Sequence, residues 1–319
     1  MTVLVTGAAG FIGSHLVDRY LERGERVIGV DNFLTGSRAN LERACANPSF
    51  ILVNQDARTL NVAHLDAAAA RFGLPELILH CASPASPVDY AQLPLETLSV
   101  NSAGTRACLE MAAAVGARFL FTSTSETYGD PLQHPQRETY WGNVNPVGPR
   151  SCYDEAKRFG EALTIAYHRK HRLDARIVRI FNTYGPRMRP NDGRVVPNFI
   201  AQALAGEPLT LYGDGSQTRS FCYVSDLVTG IIAAAASEQS RGEVINLGNP
   251  DERTIADFAK AVSRAVGVPL RTINEPMPVD DPTRRCPDIS KARSLLDWEP
   301  IVSLDEGLRL TIDYFRIAA

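Results

Sequence analysis

The sequence predicts an α/β fold built on a doubly wound parallel sheet, and three observations carry that reading. An apolar run over residues 2–6 leads into glycines at positions 7, 10 and 13 and then into a helical period. Strand-like and helix-like stretches then alternate to about residue 180, the pattern of parallel strands joined by helical crossovers. A second strand ends in Asp31, eighteen residues beyond Gly13, where a dinucleotide-binding unit places its acidic residue.

In order, residues 2–6 read as the first strand, 14–24 as the first helix with Gly24 as its stop, and 26–31 as the second strand. Further strands are expected at 49–54, 77–81, 118–123 and 175–180, with helices around 97–115 and 154–172. Beyond Phe181 the texture changes. Residues 182–192 are rich in Pro, Gly, Arg and Asn, as in a binding loop. Helical patterns return at 195–205, 224–237, 254–266 and 303–316; 210–212 reads as a short strand and 244–247 as one more strand of the main sheet. With no internal repeat and no low-complexity linker, the expected organisation is a Rossmann-like dinucleotide-binding unit over 1–181 plus about 223–248. A smaller, discontinuous substrate unit takes about 182–222 and 249–319.

Composition narrows the class. The chain has 319 residues, 45% hydrophobic and 22% charged, with a formal charge of −3. It carries no global pull towards nucleic acid or an anionic membrane. No apolar run is long enough to span a bilayer, and the apolar start is too short for a signal peptide. The expectation is a cytoplasmic protein, or a soluble catalytic piece of something longer. The six cysteines (Cys45, Cys81, Cys108, Cys152, Cys222, Cys286) form no C-x-x-C pair and no zinc-spaced cluster with histidine. Reduced thiols and no metal are expected. Cys152 is expected to be partly buried beside Tyr153, with no chemistry assigned to it.

The N-terminal loop, Gly7 to Gly13 with Phe11 and Ile12 opening the helix, points to a bound pyrophosphate. Glycines let the ligand approach the backbone, and the helix start offers free N–H groups and a favourable dipole. Asp31, with Asn32 beside it, can accept from an adenosine ribose and repels a 2′-phosphate, which favours NAD over NADP; the cation of Arg38 argues the other way. Asp56 and Ala57 follow the third strand and reach towards the adenine edge, although Asp56 reads equally well as a helix cap. Ala82 and Ser83 end the fourth strand, where loops meet a dinucleotide. Asn101 bridges this site and the central helix, or serves structure alone.

Tyr153-Asp154-Glu155-Ala156-Lys157 is Y-x-x-x-K. On a helix, i and i+4 share a face, so a phenol and an ammonium serve one site. The cation is expected to favour the phenolate, which titrates near 10 unaided, and so to supply a base at neutral pH. About thirty residues upstream stands Thr124-Ser125-Glu126.

Together with Asn182-Thr183-Tyr184-Gly185-Pro186, these stretches resemble the extended short-chain dehydrogenase/reductases acting on nucleotide sugars. Four further segments narrow the likeness to the UDP-glucuronate decarboxylase (UDP-xylose synthase) family: 80–87, 140–146, 191–199 and 215–221. The triplet discriminates. The 4,6-dehydratases of that group resemble Thr-Asp-Glu, whose aspartate is the acid for water loss; here Ser125 replaces it, and a hydroxyl is a far poorer proton donor. The 4-epimerases usually lack the glutamate that this chain keeps at 126. The resemblance implies NAD-dependent decarboxylation of UDP-glucuronate to UDP-xylose through a transient 4-keto sugar, with NAD+ regenerated; a 4-epimerase or 4,6-dehydratase is the alternative.

The same resemblance implies catalytic roles for Tyr153, Lys157, Thr124, Ser125, Glu126 and Arg285. It gives substrate contacts to Pro84, Asn182, Arg194, Val195, Tyr212, Gln217, Arg219 and Arg285. Arg219 is expected to pair with phosphate and Arg285 to fork the substrate carboxylate. Arg284 and Arg285 adjoin, so the register between them stays open. Cys286 departs from the family pattern, which has a basic residue there. The family also implies a homodimer paired through helices near 97–115 and 154–172.

Overall fold

The computed structural model describes residues 1–318. The first six strands are β1 (Thr2–Thr6), β2 (Arg26–Asp31), β3 (Phe50–Asn54), β4 (Leu77–His80), β5 (Arg118–Thr124) and β6 (Ala175–Ile180). Then come β7 (Thr183–Tyr184), β8 (Leu209–Tyr212), β9 (Thr218–Ser220), β10 (Cys222–Tyr223), β11 (Val244–Leu247), β12 (Glu252–Thr254), β13 (Thr272–Glu275) and β14 (Arg284–Arg285). The main sheet has the order β11-β6-β5-β4-β1-β2-β3, and every neighbouring pair in it is parallel.

Helices cover both faces of that sheet, so its strands are apolar at successive positions and alternate between two cores. Val3, Val5, Leu79, Leu120 and Val178 pack on one side; Leu4, Ile78, Phe119, Phe121 and Ile177 pack on the other. The strand order reverses between β1 and β4, because β2 and β3 extend one way and β4, β5, β6 and β11 the other. Beyond the carboxyl ends of β1 and β4 the connections diverge and leave a crevice for a ligand.

Three smaller sheets lie outside this core: β7 with β10, β8 with β13, and β12-β9-β14. In the last, β14 runs parallel to β9 with Arg285 opposite Arg219.

The structure departs from the sequence reading at several boundaries. The first helix begins at Phe11, not residue 14, because Gly10 is already its N-cap. The expected 97–115 helix is three segments: Pro94–Ser99, a wider π turn at Val100–Gly104, and Thr105–Val115. Thr105 Oγ1 donates to the Asn101 carbonyl at 2.8 Å within that turn. The strands β7, β9, β10, β12, β13 and β14 have two to four residues each, too short for a period of two to mark them.

Candidate active site

A cleft forms at the β1/β4 crevice, where the sequence places the dinucleotide. Gly7, Gly10, Asp31, Asn32, Asp56, Ala57, Ala82, Ser83 and Pro84 line it, around about 600 Å³ of space. The glycines are there for approach. A Cβ on Gly7, whose φ is +70°, would lie 2.8 Å from the Ala82 amide nitrogen, and one on Gly13 would lie 2.0 Å from the Gly7 carbonyl oxygen. Loop, strand end and helix therefore close on one another with backbone exposed to the cleft.

Asp31 is buried at the cleft wall and also holds the loop: its carboxylate accepts from Ala9 N at 2.8 Å and Phe33 N at 2.7 Å. Burial raises its pKa against those two amides. Asp56 is a helix cap that also lines the cleft. It caps a short helical turn by accepting from Arg58 N, pairs with the Arg58 guanidinium at 2.7 Å, and still lines the cleft. Asn101 donates to Ser83 Oγ at 2.8 Å and to the Thr97 carbonyl at 2.9 Å, tying the cleft's edge to the π turn. Phe11, Ile12 and Gly13 line an adjoining cavity that also reaches Arg194.

A second cleft of about 880 Å³ opens next to the first, lined among others by Thr124, Ser125, Glu126, Tyr153, Lys157, Asn182, Arg194 and Val195. Two elements place its centre. Strand β5 ends in Thr124, whose hydroxyl accepts from Glu126 N at 3.2 Å and starts a short turn. The helix Ser151–His171 lies hard against that strand, since a Cβ on Gly160 would sit 2.4 Å from the Phe121 ring. A glycine mid-helix costs about 1 kcal/mol relative to alanine; here it permits the close approach. Tyr153, Lys157 and Glu161 follow at i, i+4 and i+8 on the face turned to β5. Lys157 Nζ donates to the Thr122 carbonyl at 2.9 Å, and Glu161 accepts from Ser123 Oγ at 2.6 Å and from both arms of Arg179. The Tyr153 ring stacks on Tyr90 at 5.2 Å.

Glu126 is the hub of a buried ionic cluster. Arg285 grips it with both terminal nitrogens, one at 3.0 Å, and Arg150 adds a contact at 2.7 Å. Arg150 and Arg219 meet on Asp281, at 3.3 and 2.9 Å. Burial opposes charge on Glu126, but Arg285 and Arg150 together outweigh it and hold the carboxyl well below its ordinary range. The alternation of β14 separates the two candidate arginines: Arg284 is exposed, whereas Arg285 is buried and faces Glu126.

Residues 3–248 match the NAD dependent epimerase/dehydratase family. The chain belongs to that family. It is 52% identical to UDP-glucuronic acid decarboxylase 2 of Arabidopsis thaliana over 99% of this chain and 68% of that one. It is 50% identical to UDP-glucuronic acid decarboxylase 1 of Xenopus tropicalis over 98% of this chain and 72% of that one. Among solved structures it is similar to the UDP-glucuronic acid 4-epimerase of Bacillus cereus in complex with UDP-glucuronic acid and NAD. That similarity has a TM-score of 0.89 and 30% identity, and covers all of both chains.

Within this NAD-dependent family member, three of the expected groups already have partners inside the protein. The Lys157 ammonium does not bring the Tyr153 phenol down towards neutral pH. Burial raises that phenol above its usual range and the Thr124 hydroxyl draws it back only in part, while the ammonium donates to the Thr122 carbonyl and stands 5.9 Å from the Tyr153 ring centre, where a positive charge favours a phenolate. The Arg285 fork is closed on Glu126, so a substrate carboxylate has to compete for it. Arg219 pairs with Asp281 and lies outside the Tyr153 cleft, as do Tyr212 and Gln217, which bond each other at the surface through Gln217 Nε2 and the Tyr212 carbonyl at 2.9 Å.

Sequence reasoning passed over Arg150, Asp154, Tyr90 and Asp281. Arg150 lies three residues before Tyr153, one helical turn away, which was the available signal. Asp154 is buried, and Oδ1 has no hydrogen-bond partner among the described residues; burial and the Glu126 charge push its pKa up. Cys152 Sγ donates to the Tyr90 carbonyl at 3.5 Å.

The lysine yields a pH prediction. Burial lowers Lys157 from 10.5 to about 8. The ammonium is lost as pH rises through that value, so kcat/KM, which reports free-enzyme groups, falls above about pH 8. Stability moves the other way: between about 8 and 10.5 the unfolded chain holds this proton and the folded one does not, so Lys157's contribution increases with pH. A pH–rate profile with no descending limb in that window would remove the charged lysine from the mechanism.

Proposed function

We infer that the chain catalyses the NAD-dependent decarboxylation of UDP-glucuronate to UDP-xylose through a transient UDP-4-keto sugar. Relatives named for this reaction align over 98–99% of the chain at about 50% identity. The geometric observation that carries the reading is Glu126, held by two arginines in the cleft that also holds Tyr153.

The glycine cradle and Asp31 fit NAD, which Gly7, Gly10, Gly13, Asp31, Ala82 and Ser83 would hold. Bound there, NAD+ would supply the acceptor for the C4 hydride and, once reduced, its donor, so that no cofactor is consumed. We assign Tyr153 as the group that removes and restores the 4-hydroxyl proton, at the point where the buried phenol faces substrate. Thr124, beside it at the end of β5, steadies the oxygen as it gains charge. Two arginines on one glutamate leave a local surplus of positive charge, which attracts the sugar's C6 carboxylate. A ketone at C4 is β to that carboxylate, so CO2 leaves as its bonding electrons delocalise into the carbonyl. Glu126 then orients a water that passes a solvent proton to C5, so that one C–C bond is broken and one C–H bond is formed. Ser125 supplies no acid for water loss, which separates this site from a dehydratase.

The organisation proposed is a cofactor unit over 1–181 and about 223–248 with the remainder binding the nucleotide sugar; the pairing of β11 with β6 supports it. A homodimer is the assembly proposed. Leu95, Leu98 and Phe159 stand exposed on the neighbouring helices Pro94–Ser99 and Ser151–His171, which supports it. A cytoplasmic site of action fits six unbridged cysteines. No helix among the described residues is long and apolar enough to cross a membrane.

Incubating the purified protein with UDP-glucuronate tests the reaction. Release of CO2 with formation of UDP-xylose by mass is expected; UDP-galacturonate without gas would make the enzyme a 4-epimerase.

A further inference from the structure

Outside the clefts, His134, Glu252 and Cys286 bring an imidazole, a carboxylate and a thiol together, with their ligand atoms all within 4.8 Å of one another. We propose that these three residues form a binding site for a borderline-soft divalent cation, zinc above all, that clamps the strand carrying Arg285.

The three residues come from separate segments. His134 lies in the loop before Gln136, Glu252 opens β12, and Cys286 follows β14 directly. His134 and Glu252 are 118 residues apart, which is why no spacing in the sequence marks them. Their side chains already converge. His134 Nε2 lies 2.9 Å from Glu252 Oε2, and Cys286 Sγ points at the Pro250 carbonyl oxygen at 3.4 Å. Tetrahedral zinc with nitrogen, oxygen and sulfur bonds of about 2.0–2.3 Å separates its ligands by roughly 3.3–3.7 Å. The widest pair therefore closes by at most about 1.5 Å and the His134–Glu252 pair opens by about 0.4 Å, shifts within reach of flexible side chains. Cys286 is buried, whereas His134 and Glu252 are 20% and 23% exposed, so an ion enters from their side.

The supporting contacts are also in place. Glu252 Oε1 accepts from Thr218 Oγ1, which leaves Oε2 turned to His134 and free for the ion. Such partners orient ligands. The backbone around the thiol is anchored by Cys286 N donating to Gln136 Oε1 at 2.8 Å and Gln136 N donating to the Cys286 carbonyl at 2.9 Å. The donor set suits zinc or cobalt better than magnesium or calcium, which prefer oxygen alone. On binding, the thiol proton passes to solvent and the thiolate bonds the metal; a water or the Pro250 carbonyl completes four-coordination. The ion would join three segments at the sheet β12-β9-β14, whose strands hold Arg219 and Arg285.

Cobalt(II) is the probe. Reduced, chelator-treated full-length protein is titrated with Co2+ and then with Zn2+. The expected result is a near-ultraviolet thiolate-to-cobalt charge-transfer band that saturates at one ion per chain, is displaced by zinc, and accompanies a rise in Tm. Cys286→Ser abolishes the band. His134→Ala keeps the buried thiol in place and weakens cobalt binding at least on the order of 10-fold, so it reads the site even if the serine variant folds poorly. Cys45→Ser, at an exposed cysteine, leaves everything unchanged. No thiolate band in the folded wild type, a band that survives Cys286→Ser in a folded protein, or a band lost in Cys45→Ser overturns the proposal.

Discussion

Replacing Tyr153 by Phe lowers turnover of UDP-glucuronate by about 10²–10⁴-fold, the span of a lost general acid–base group, while NAD stays bound. The variant removes one oxygen. It keeps the ring that stacks on Tyr90 and the helix packed on β5, so the fold and the cofactor cleft are spared. The phenol is buried and raised in the free protein, so proton transfer depends on substrate and cofactor completing its surroundings. The measurement is kcat for CO2 release alongside the NAD content of the purified variant. Normal turnover with Phe at 153 would mean that another group takes the 4-hydroxyl proton.

The second large effect belongs to Glu126. Glu126→Ala leaves Arg285 without its carboxylate partner and Arg150 with Asp281 alone, which it shares with Arg219. Breaking a buried ion pair by removing one partner costs about 3–5 kcal/mol, and a loss of that order is expected in denaturant unfolding. Glu126→Gln keeps the size and an acceptor oxygen, so it costs less stability, yet it loses turnover because the carboxylate no longer balances the two guanidiniums. A Glu126→Ala protein with the parent's unfolding midpoint would show that the cluster is held by its neighbours alone.

The sheet was legible because its strands are buried on both faces and read as unbroken apolar runs, while its helices are amphipathic and keep a period of 3.6 over enough residues to register. The glycine cradle, Asp31 and the Tyr153/Lys157 pair were legible because backbone approach and one helical face constrain residues close in sequence. The small strands were not: two residues such as Arg284 and Arg285 have no period, and only the pairing of β14 with β9 sets which arginine turns inward. Glu126 was recognised, but its partners lie 24 and 159 residues away.

The succession of strands and helices along the chain, the glycine cradle and the helix that presents Tyr153 follow from local pattern, since each rests on residues whose spacing along the chain is itself the geometry. The closure of the Arg285 fork on Glu126, the commitment of Lys157 to the Thr122 carbonyl and the meeting of His134, Glu252 and Cys286 came from tertiary structure alone. Charge and burial act through space, and they join groups that the sequence keeps far apart.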